Sequence, residues 1–289
     1  MKKVRKAVIP VAGFGTRFLP ETKAVPKEMM PIVDTPALSL VVDEIVDSGI
    51  DNILLITSRA KRCIEDYFDR YVELEYLLKK AGKTVELEAC NEIENKANFT
   101  FIRQKEMKGS GHAIYLAKEF AAGEPIAVLF GDDLMYSPKK AVTRQLVEAY
   151  ETTGTTILGV QPVPMSEVHK YGVIAPGARK GKYTEVKGFM EKVPADIAPS
   201  NLVSMGRYVL TPDIFDELEK CSPEKNGEIY LTTAIAKQIE TTGVYAYEFD
   251  GKRYDTGDKL GYLKAVVEYA LRRDNLGEEF KKYLIELVK

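Results

Sequence analysis

The feature that most constrains this chain is a short apolar run near its amino terminus that ends in closely spaced glycines. Residues 8–11 are typical of a buried strand, and Gly13 and Gly15 after it allow the backbone to approach a ligand closely. The cations Arg17, Lys23 and Lys27 follow, and free N–H groups beside cations suit a triphosphate. The stretch therefore predicts a phosphate-binding loop, with a glycine turn and solvated cations as the alternative interpretation.

Two familiar glycine motifs do not fit this loop. A dinucleotide-binding loop has a third glycine that lets a helix begin at once, but Phe18 stands at that position and Pro20 follows. The Walker spacing of Gly, four residues, Gly-Lys and Ser or Thr is absent as well. We therefore expect an extended loop without an immediate helix. An NAD-dependent oxidoreductase, which only the glycines suggest, is a weaker alternative.

Apolar patterns after the loop alternate between helix and strand. Residues 38–48 have apolar side chains at helical spacing and stop at Gly49, and residues 52–56 are typical of a second buried strand. Further strands are predicted at 99–102 and 126–130. A strand, helix and strand in this order favour a parallel sheet with right-handed crossovers.

The pattern changes beyond residue 162. Short strands are predicted at 172–175 and 185–190 around a basic turn, which is typical of antiparallel structure added to a parallel core. Residues 85–95 give no clear pattern, and we expect them to be irregular or a weak strand. The prediction is an α/β, Rossmann-like fold whose central sheet is mixed and mainly parallel, flanked by helices, with a small antiparallel subdomain.

Composition limits the classes of partner. The 289 residues carry a formal net charge of -2 with acids and bases interspersed. The chain therefore has no net positive charge that would attract nucleic acid or an anionic membrane, and any phosphate site must be local. The three cysteines, Cys63, Cys90 and Cys221, lie far apart and favour reduced thiols in a cytoplasmic protein. The apolar run after the basic amino terminus is short, which favours a first strand over a signal peptide or membrane span.

Two adjacent carboxylates, Asp132 and Asp133, follow the apolar strand predicted at 126–130. At the carboxyl edge of a sheet, a hard cation can offset the repulsion between such charges. Mg²⁺ is the natural candidate because it tolerates one or two carboxylates together with substrate phosphates. The alternative interpretation is a turn with an Asp cap.

Motifs spread along the chain together resemble those of prokaryotic-type UTP–glucose-1-phosphate uridylyltransferases, in the sugar nucleotidyltransferase family. A single motif would be weak support, but the segments occur in the family's order and cover nearly the whole chain. They are residues 13–20, 22–24, 26–29, 31–34, 109–113, 131–133, 171–174, 189–192, 205–212 and 251–259.

The resemblance implies synthesis of UDP-glucose and pyrophosphate from UTP and glucose 1-phosphate, with Mg²⁺ as cofactor and a homodimer or homotetramer as assembly. It implies one nucleotidyltransferase domain over 1–289, with a mainly nucleotide-binding half at 1–162, a mainly sugar-binding half at 163–259 and carboxyl-terminal helices at 260–289. The last helix, 276–288, carries Leu276, Phe280, Leu284 and Leu287 on one face, which would dock on the chain itself or on a second subunit. The resemblance favours the subunit contact, because the family usually forms homo-oligomers.

The resemblance also implies roles for individual residues. The expected catalytic residues are Arg17 and Lys27 on the triphosphate and Lys192 on the glucose phosphate, and the expected metal ligands are Asp132 and Asp255. The expected nucleotide contacts are Ala12, Gly13, Gly15, Glu28, Gln104 and Gly109, and the expected sugar contacts are Gly172, Glu191, Lys192 and Asp133. Asp255 has an Asx turn as its alternative interpretation. His112 is more typical of a packing or helix-start residue than of a general base, so it is not assigned a catalytic role.

Departures from the family pattern bear on which sugar the protein uses. Tyr230 stands where the family usually has Gln, and Thr233 stands where it usually has Asp. Polar changes near a sugar pocket alter which hydroxyl groups are satisfied. The alternatives are therefore a thymidylyltransferase, a uridylyltransferase for another sugar 1-phosphate, and a non-catalytic nucleotide-sugar sensor.

Overall fold

The structure is a computed structural model that describes residues 1–288, and its strands form one large sheet and two short two-stranded ribbons. The strands are β1 Lys6–Pro10, β2 Pro31–Ile32, β3 Thr35–Pro36, β4 Asn52–Thr57, β5 Asn98–Arg103, β6 Ile126–Leu129, β7 Asp133–Tyr136, β8 Thr156–Pro162, β9 Gly172–Lys180, β10 Tyr183–Glu191, β11 Leu202–Leu210, β12 Val244–Glu248 and β13 Lys252–Asp255.

The large sheet has nine strands in the order β5-β4-β1-β6-β11-β8-β12-β10-β9. Parallel pairing joins β1 to β4 and β6, β4 to β5, and β8 to β12. Only β10 and β11 run against the common direction. This confirms the predicted mixed, mainly parallel sheet, and the hairpin of β9 and β10 is the predicted antiparallel addition.

Strand β11 lies near the middle of the sheet and was not predicted. Eight of its nine residues are buried, but Gly206 and Arg207 interrupt its apolar pattern. The backbone at Gly206 has a positive φ of 66°, and the pairing with β8 shifts register between Ser204 and Tyr208. A bulge and a buried cation therefore hid this central strand from sequence patterns.

Helices cover both faces of the sheet, and an apolar cluster lies under each layer. Among the helices that the structure describes, none combines the length and hydropathy of a membrane span. They are α1 Ala37–Asp47, α2 Arg62–Phe68, α3 Val72–Lys80, α4 Thr84–Glu94, α5 Gly109–Tyr115, α6 Lys118–Ala121, α7 Val142–Thr153, α8 Ile214–Glu219, α9 Leu231–Thr241, α10 Lys259–Leu271 and α11 Gly277–Leu287.

One element was predicted wrongly. Residues 85–95 are neither irregular nor a strand, because Thr84–Glu94 forms helix α4. None of its residues is buried, so it lacks the apolar stripe that marks an amphipathic helix in a sequence. It packs instead on its neighbours α2 and α3, beside the sheet.

Candidate active site

The loop between β1 and α1 is compact. It is not extended as predicted, because three short 3₁₀ turns, Thr16–Phe18, Glu21–Lys23 and Lys27–Met29, occupy it. These turns satisfy backbone amides within the loop, as in the bond of 3.0 Å from the N–H of Phe18 to the carbonyl of Gly15. The expected absence of an immediate α-helix is confirmed, since α1 begins only at Ala37.

Gly15 fixes the shape of this loop. Its φ of +67° lies in the left-handed region, and a Cβ there would lie 3.3 Å from the Cβ of Lys27. Its carbonyl accepts a hydrogen bond of 2.8 Å from the Thr22 hydroxyl. Gly15 thus allows the loop to fold back on itself and present Lys27. Gly13, by contrast, is exposed, and Ala12 is buried at the end of the strand.

Lys27 donates a hydrogen bond to Asp132, which lies in the turn after β6. Burial alone would lower the pKa of Lys27, but the charges of Asp132 and Glu28 outweigh it and raise that pKa above its ordinary value. Burial alone would raise the pKa of Asp132, and the ion pair with Lys27 holds it below its ordinary value. Both groups are therefore charged at neutral pH.

The two predicted metal ligands, Asp132 and Asp255, border one small space. A Cβ on Gly257 would lie 2.6 Å from Oδ2 of Asp132 and 3.1 Å from Oδ1 of Asp255, so any side chain at residue 257 would fill the gap between them. The N–H and hydroxyl of Thr256 each donate to the carbonyl of Asp132 over 2.8 Å, which ties the two turns together.

These two carboxylates suit Mg²⁺, which accepts one or two carboxylates beside substrate phosphates. Within residues 1–288, no group of three or more His, Cys, Asp or Glu residues could hold a metal by itself. The Asx-turn interpretation of Asp255 is also observed, because its Oδ1 accepts a bond of 3.0 Å from the N–H of Gly257. The turn and the proposed ligand role are compatible, since a carboxylate oxygen has more than one lone pair.

Arg253 joins this site, and sequence reasoning missed it. Its Nε donates to Asp133 over 2.6 Å, and a second nitrogen lies 3.3 Å from Oδ2 of Asp255. It also donates to the hydroxyl of Tyr171 over 3.2 Å. Despite Arg253, burial raises the pKa of Asp133 to about 6. The sequence pattern that could have pointed to Arg253 is its spacing of two residues from Asp255, which places both side chains on one face of a strand.

Glu28 is predicted to face the base, and the structure places it in a buried ion pair. Its carboxylate lies 2.6 Å from Nζ of Lys61, with the two residues only 2% and 4% exposed. Burial raises the pKa of Glu28 and lowers that of Lys61, and their mutual attraction opposes both shifts. Because Glu28 follows Lys27 directly, this pair anchors the turn that presents Lys27.

Gln104 and Gly109, both expected at the base, are brought together. Nε2 of Gln104 donates to the carbonyl of Gly109 over 3.1 Å and lies 3.0 Å from Nδ1 of His112. Gly109 has a φ of +87°, and a Cβ there would lie 2.7 Å from the carbonyl oxygen of Ile229. The N–H of Gly111 donates to that same carbonyl over 2.8 Å. The predicted base loop therefore packs directly on the segment before α9.

Three of the expected sugar residues, Gly172, Glu191 and Lys192, lie where β9 begins and β10 ends. Gly172 pairs with Glu191 across these strands, and a Cβ on Gly172 would lie 2.7 Å from the ring of Phe189. Lys192 follows with a φ of +48°, and its N–H donates to the carbonyl of Tyr171 over 2.9 Å. The Lys192 side chain is 57% exposed and lies 3.5 Å from Glu191, so a ligand can reach it.

Arg17 lies at the site, and Tyr230 and Thr233, the two departures from the family pattern, lie just before and within α9. Arg17 is exposed and reaches the carbonyl of Gly257 over 3.4 Å, beside the carboxylates. The hydroxyl of Tyr230 accepts a bond of 2.5 Å from Asn226, and the hydroxyl of Thr233 lies 3.4 Å from Glu224. Both replacements thus find polar partners within their own segment.

The chain resembles known proteins over almost its full length. The family model described as nucleotidyl transferase matches residues 6–271. A protein of Staphylococcus epidermidis named UTP--glucose-1-phosphate uridylyltransferase is 49% identical over 287 residues, which cover 99% of each chain.

Solved structures give the same result. A UTP-bound UGPase from Acinetobacter baumannii is 40% identical with a TM-score of 0.91, covering 98% of this chain and 99% of that one. A UDP-glucose pyrophosphorylase complexed with UDP-glucose is 41% identical with a TM-score of 0.84, covering 93% and 100%.

Proposed function

The chain belongs to the nucleotidyl transferase family, among the UTP–glucose-1-phosphate uridylyltransferases, and we propose that it makes UDP-glucose and pyrophosphate from UTP and glucose 1-phosphate. The observation that carries this proposal is the 49% identity, over 99% of both chains, to a protein named for that reaction. The pairing of cations with carboxylates at the carboxyl edge of the sheet supports it, because open α/β folds bind ligands there.

The proposed reaction is a single in-line displacement. A phosphate oxygen of glucose 1-phosphate attacks the α-phosphorus of UTP, a new P–O bond forms, and the bond to the bridging oxygen breaks to release pyrophosphate. The attacking oxygen is already anionic, so no side chain has to remove a proton. The protein must instead hold two anions together and stabilise the charge that develops on phosphorus and the leaving group.

Three cations divide this work in the proposal. Arg17 and Lys27 hold the triphosphate, and Lys27 exchanges its hydrogen bond with Asp132 for one with phosphate. Lys192 holds the phosphate of the sugar, and Glu191 accepts hydrogen bonds from its hydroxyl groups, two roles that need opposite charges side by side. We also propose that residues 1–162 form mainly the nucleotide half, 163–259 the sugar half, and 260–289 the carboxyl-terminal helices.

Asp132 and Asp255 are the residues that would hold Mg²⁺. When bound, the metal would neutralise charge on the substrate phosphates. The space that a Cβ at residue 257 would fill supports this role, because oxygen atoms of both carboxylates border it. We assign Asp133 to the sugar side, where Arg253 links it to Tyr171 beside Gly172.

We further propose a cytoplasmic homodimer or homotetramer. The stripe predicted for the subunit contact is partly used within the chain, since Leu276, Phe280 and Leu284 are half-buried. Apolar side chains nearby stay open on α10 and α11, with Leu260 at 59% and Leu263 at 58% exposure. Exposed apolar surface of this kind supports an interface.

Pyrophosphate release tests the proposed function. The purified protein is supplied with UTP or dTTP, and with glucose 1-phosphate, galactose 1-phosphate, N-acetylglucosamine 1-phosphate or no sugar. We expect release with UTP that requires glucose 1-phosphate, stops with EDTA and returns with Mg²⁺. Release only with dTTP or with another sugar would correct the substrate, and no release in any combination would contradict the proposal.

A further inference from the structure

The side-chain amide of Gln104 is held in one orientation. Its Nε2 lies 3.1 Å from the carbonyl oxygen of Gly109, which can only accept a hydrogen bond. The reversed amide would place two acceptor oxygens against each other. The backbone on both sides of Gly109 is held by hydrogen bonds of 2.8 Å, from the N–H of Ile229 to the carbonyl of Lys108 and from the N–H of Gly111 to the carbonyl of Ile229. The donor end of the amide therefore faces Gly109.

The same nitrogen defines the state of His112. Nε2 of Gln104 lies 3.0 Å from Nδ1 of the imidazole, so Nδ1 must accept and the ring proton must sit on its Nε2. Burial, assisted by Lys108 and opposed by Glu106, lowers the pKa of His112 below its ordinary value and favours the neutral ring. Both hydrogens of the Gln104 amide are thus used within the protein.

The acceptor end of the amide remains open. Among residues 1–288, the fully buried side-chain oxygen and nitrogen atoms without a partner are Ser39 Oγ, Thr232 Oγ1 and Gln238 Oε1. Oε1 of Gln104 receives no hydrogen bond from residues 1–288, and yet it is not among these fully buried atoms. It therefore keeps some exposed surface, although the residue as a whole is only 5% exposed. The little surface that Gln104 keeps therefore includes a hydrogen-bond acceptor.

We propose that His112 is a positioning residue for base selection, which holds Gln104 so that its amide can only accept a hydrogen bond from the nucleotide base. The inference rests on the proposed function and on the contact between Gln104 and the base that the resemblance implies. An acceptor matches the N3–H donor of uracil or thymine. Cytosine presents a lone pair at N3, so the acceptor Oε1 would repel it. Gln104, held by His112, thus favours uridine and thymidine nucleotides over cytidine nucleotides.

Two variants of His112 separate this role from simple packing. His112→Phe keeps an aromatic ring but removes the acceptor, so the amide loses one of its two anchors. His112→Asn restores an acceptor, because Asn Oδ1, like Nδ1 of His, is bonded to Cγ. His169→Phe is the matched control, since His169 is the only other histidine and lies exposed in the 3₁₀ turn Met165–Lys170.

Binding of UTP and of CTP to each variant is measured by calorimetry without sugar, and turnover of both nucleotides is measured in parallel. We expect His112→Phe to lower the ratio of UTP to CTP affinity by about tenfold, the size of one unsatisfied hydrogen bond. His112→Asn should recover most of that ratio, and His169→Phe should not change it. Equal weakening of both nucleotides by His112→Phe would overturn the inference.

The tautomer gives a second measurement that does not depend on turnover. ¹⁵N chemical shifts of the two histidines, assigned with His169→Phe, should show His112 neutral, with the proton on Nε2 and a bare Nδ1. A proton on Nδ1 would overturn the inference. If wild type binds UTP over CTP but releases no pyrophosphate, the proposed reaction fails and the inference stands; if it turns over both nucleotides equally, the inference fails alone.

Discussion

Two ion pairs in this protein have similar chemistry but differ in what can reach them. Arg207 on β11 pairs with Glu44 on α1, and their side chains are 1% and 6% exposed. Lys27 pairs with Asp132 at the carboxyl edge of the sheet, and their side chains are 19% and 27% exposed. The first pair is closed to any ligand, whereas the second retains surface that a ligand can contact.

The closed pair is satisfied entirely by the protein. Arg207 donates to both oxygens of Glu44 over 2.8–3.2 Å and to the carbonyl of Asp133 over 2.5 Å. Glu44 also accepts from the N–H and hydroxyl of Thr143, over 3.0 and 2.6 Å. The network therefore joins β11, α1 and α7 to the first residue of β7, Asp133.

The open pair has a partner that can be exchanged. A partly exposed lysine can leave one anion for another without stranding a buried charge, because water and the ligand compensate both groups. The two pairs thus differ in burial rather than in charge, and the proposed role in the reaction falls to the open one.

The largest effect is expected on the closed pair. Arg207→Met should lower the free energy of unfolding by about 3–5 kcal/mol, because it leaves Glu44 charged and buried. Urea denaturation measures this loss. The double variant Glu44→Leu, Arg207→Met should be less destabilised than the single one, since no unpaired charge remains. A single variant as stable as wild type would refute the distinction between the pairs.

A change to the open pair should affect the reaction and spare the fold. Lys27→Met should lower kcat/KM for UTP by about 10²–10³-fold, the usual effect of removing one group that stabilises developing charge. Its urea midpoint should stay close to that of wild type, because Asp132 keeps contact with water. Steady-state kinetics and denaturation on the same preparation check both statements. A variant that unfolds but keeps its specific activity would reverse the assignment.

The smallest effect is expected at an exposed cation of the site, Lys192. Lys192→Ala should raise KM for glucose 1-phosphate by about tenfold, because it removes one charge-assisted hydrogen bond. KM for UTP should change little. Lys187→Ala is the matched control, since Lys187 lies on the same hairpin and pairs with Glu185. Unchanged kinetics in Lys192→Ala would remove that side chain from the proposed sugar site.

Much of the fold could be predicted because local patterns agreed with the final packing. The helix at 38–48 and the strands at 52–56, 99–102 and 126–130 are confirmed within one or two residues. Thr211 and Pro212 are residue types typical of a helix start, but α8 begins only at Ile214. The Thr211 hydroxyl bonds instead with Thr156 and Gln238, neighbours that no local pattern shows.

The sequence by itself determined the alternation of helix and strand, the glycine loop and the resemblance to a family. That resemblance implies which residues contact the nucleotide and which contact the sugar. These depend on side-chain periodicity and on short motifs, which are properties of neighbouring residues. Only the tertiary structure decided which charges pair. It buried Glu28 against Lys61, added Arg253 to the carboxylates and set Gln104 against His112. The physical reason is that desolvation and hydrogen-bond partners are set by groups brought together from distant parts of the chain.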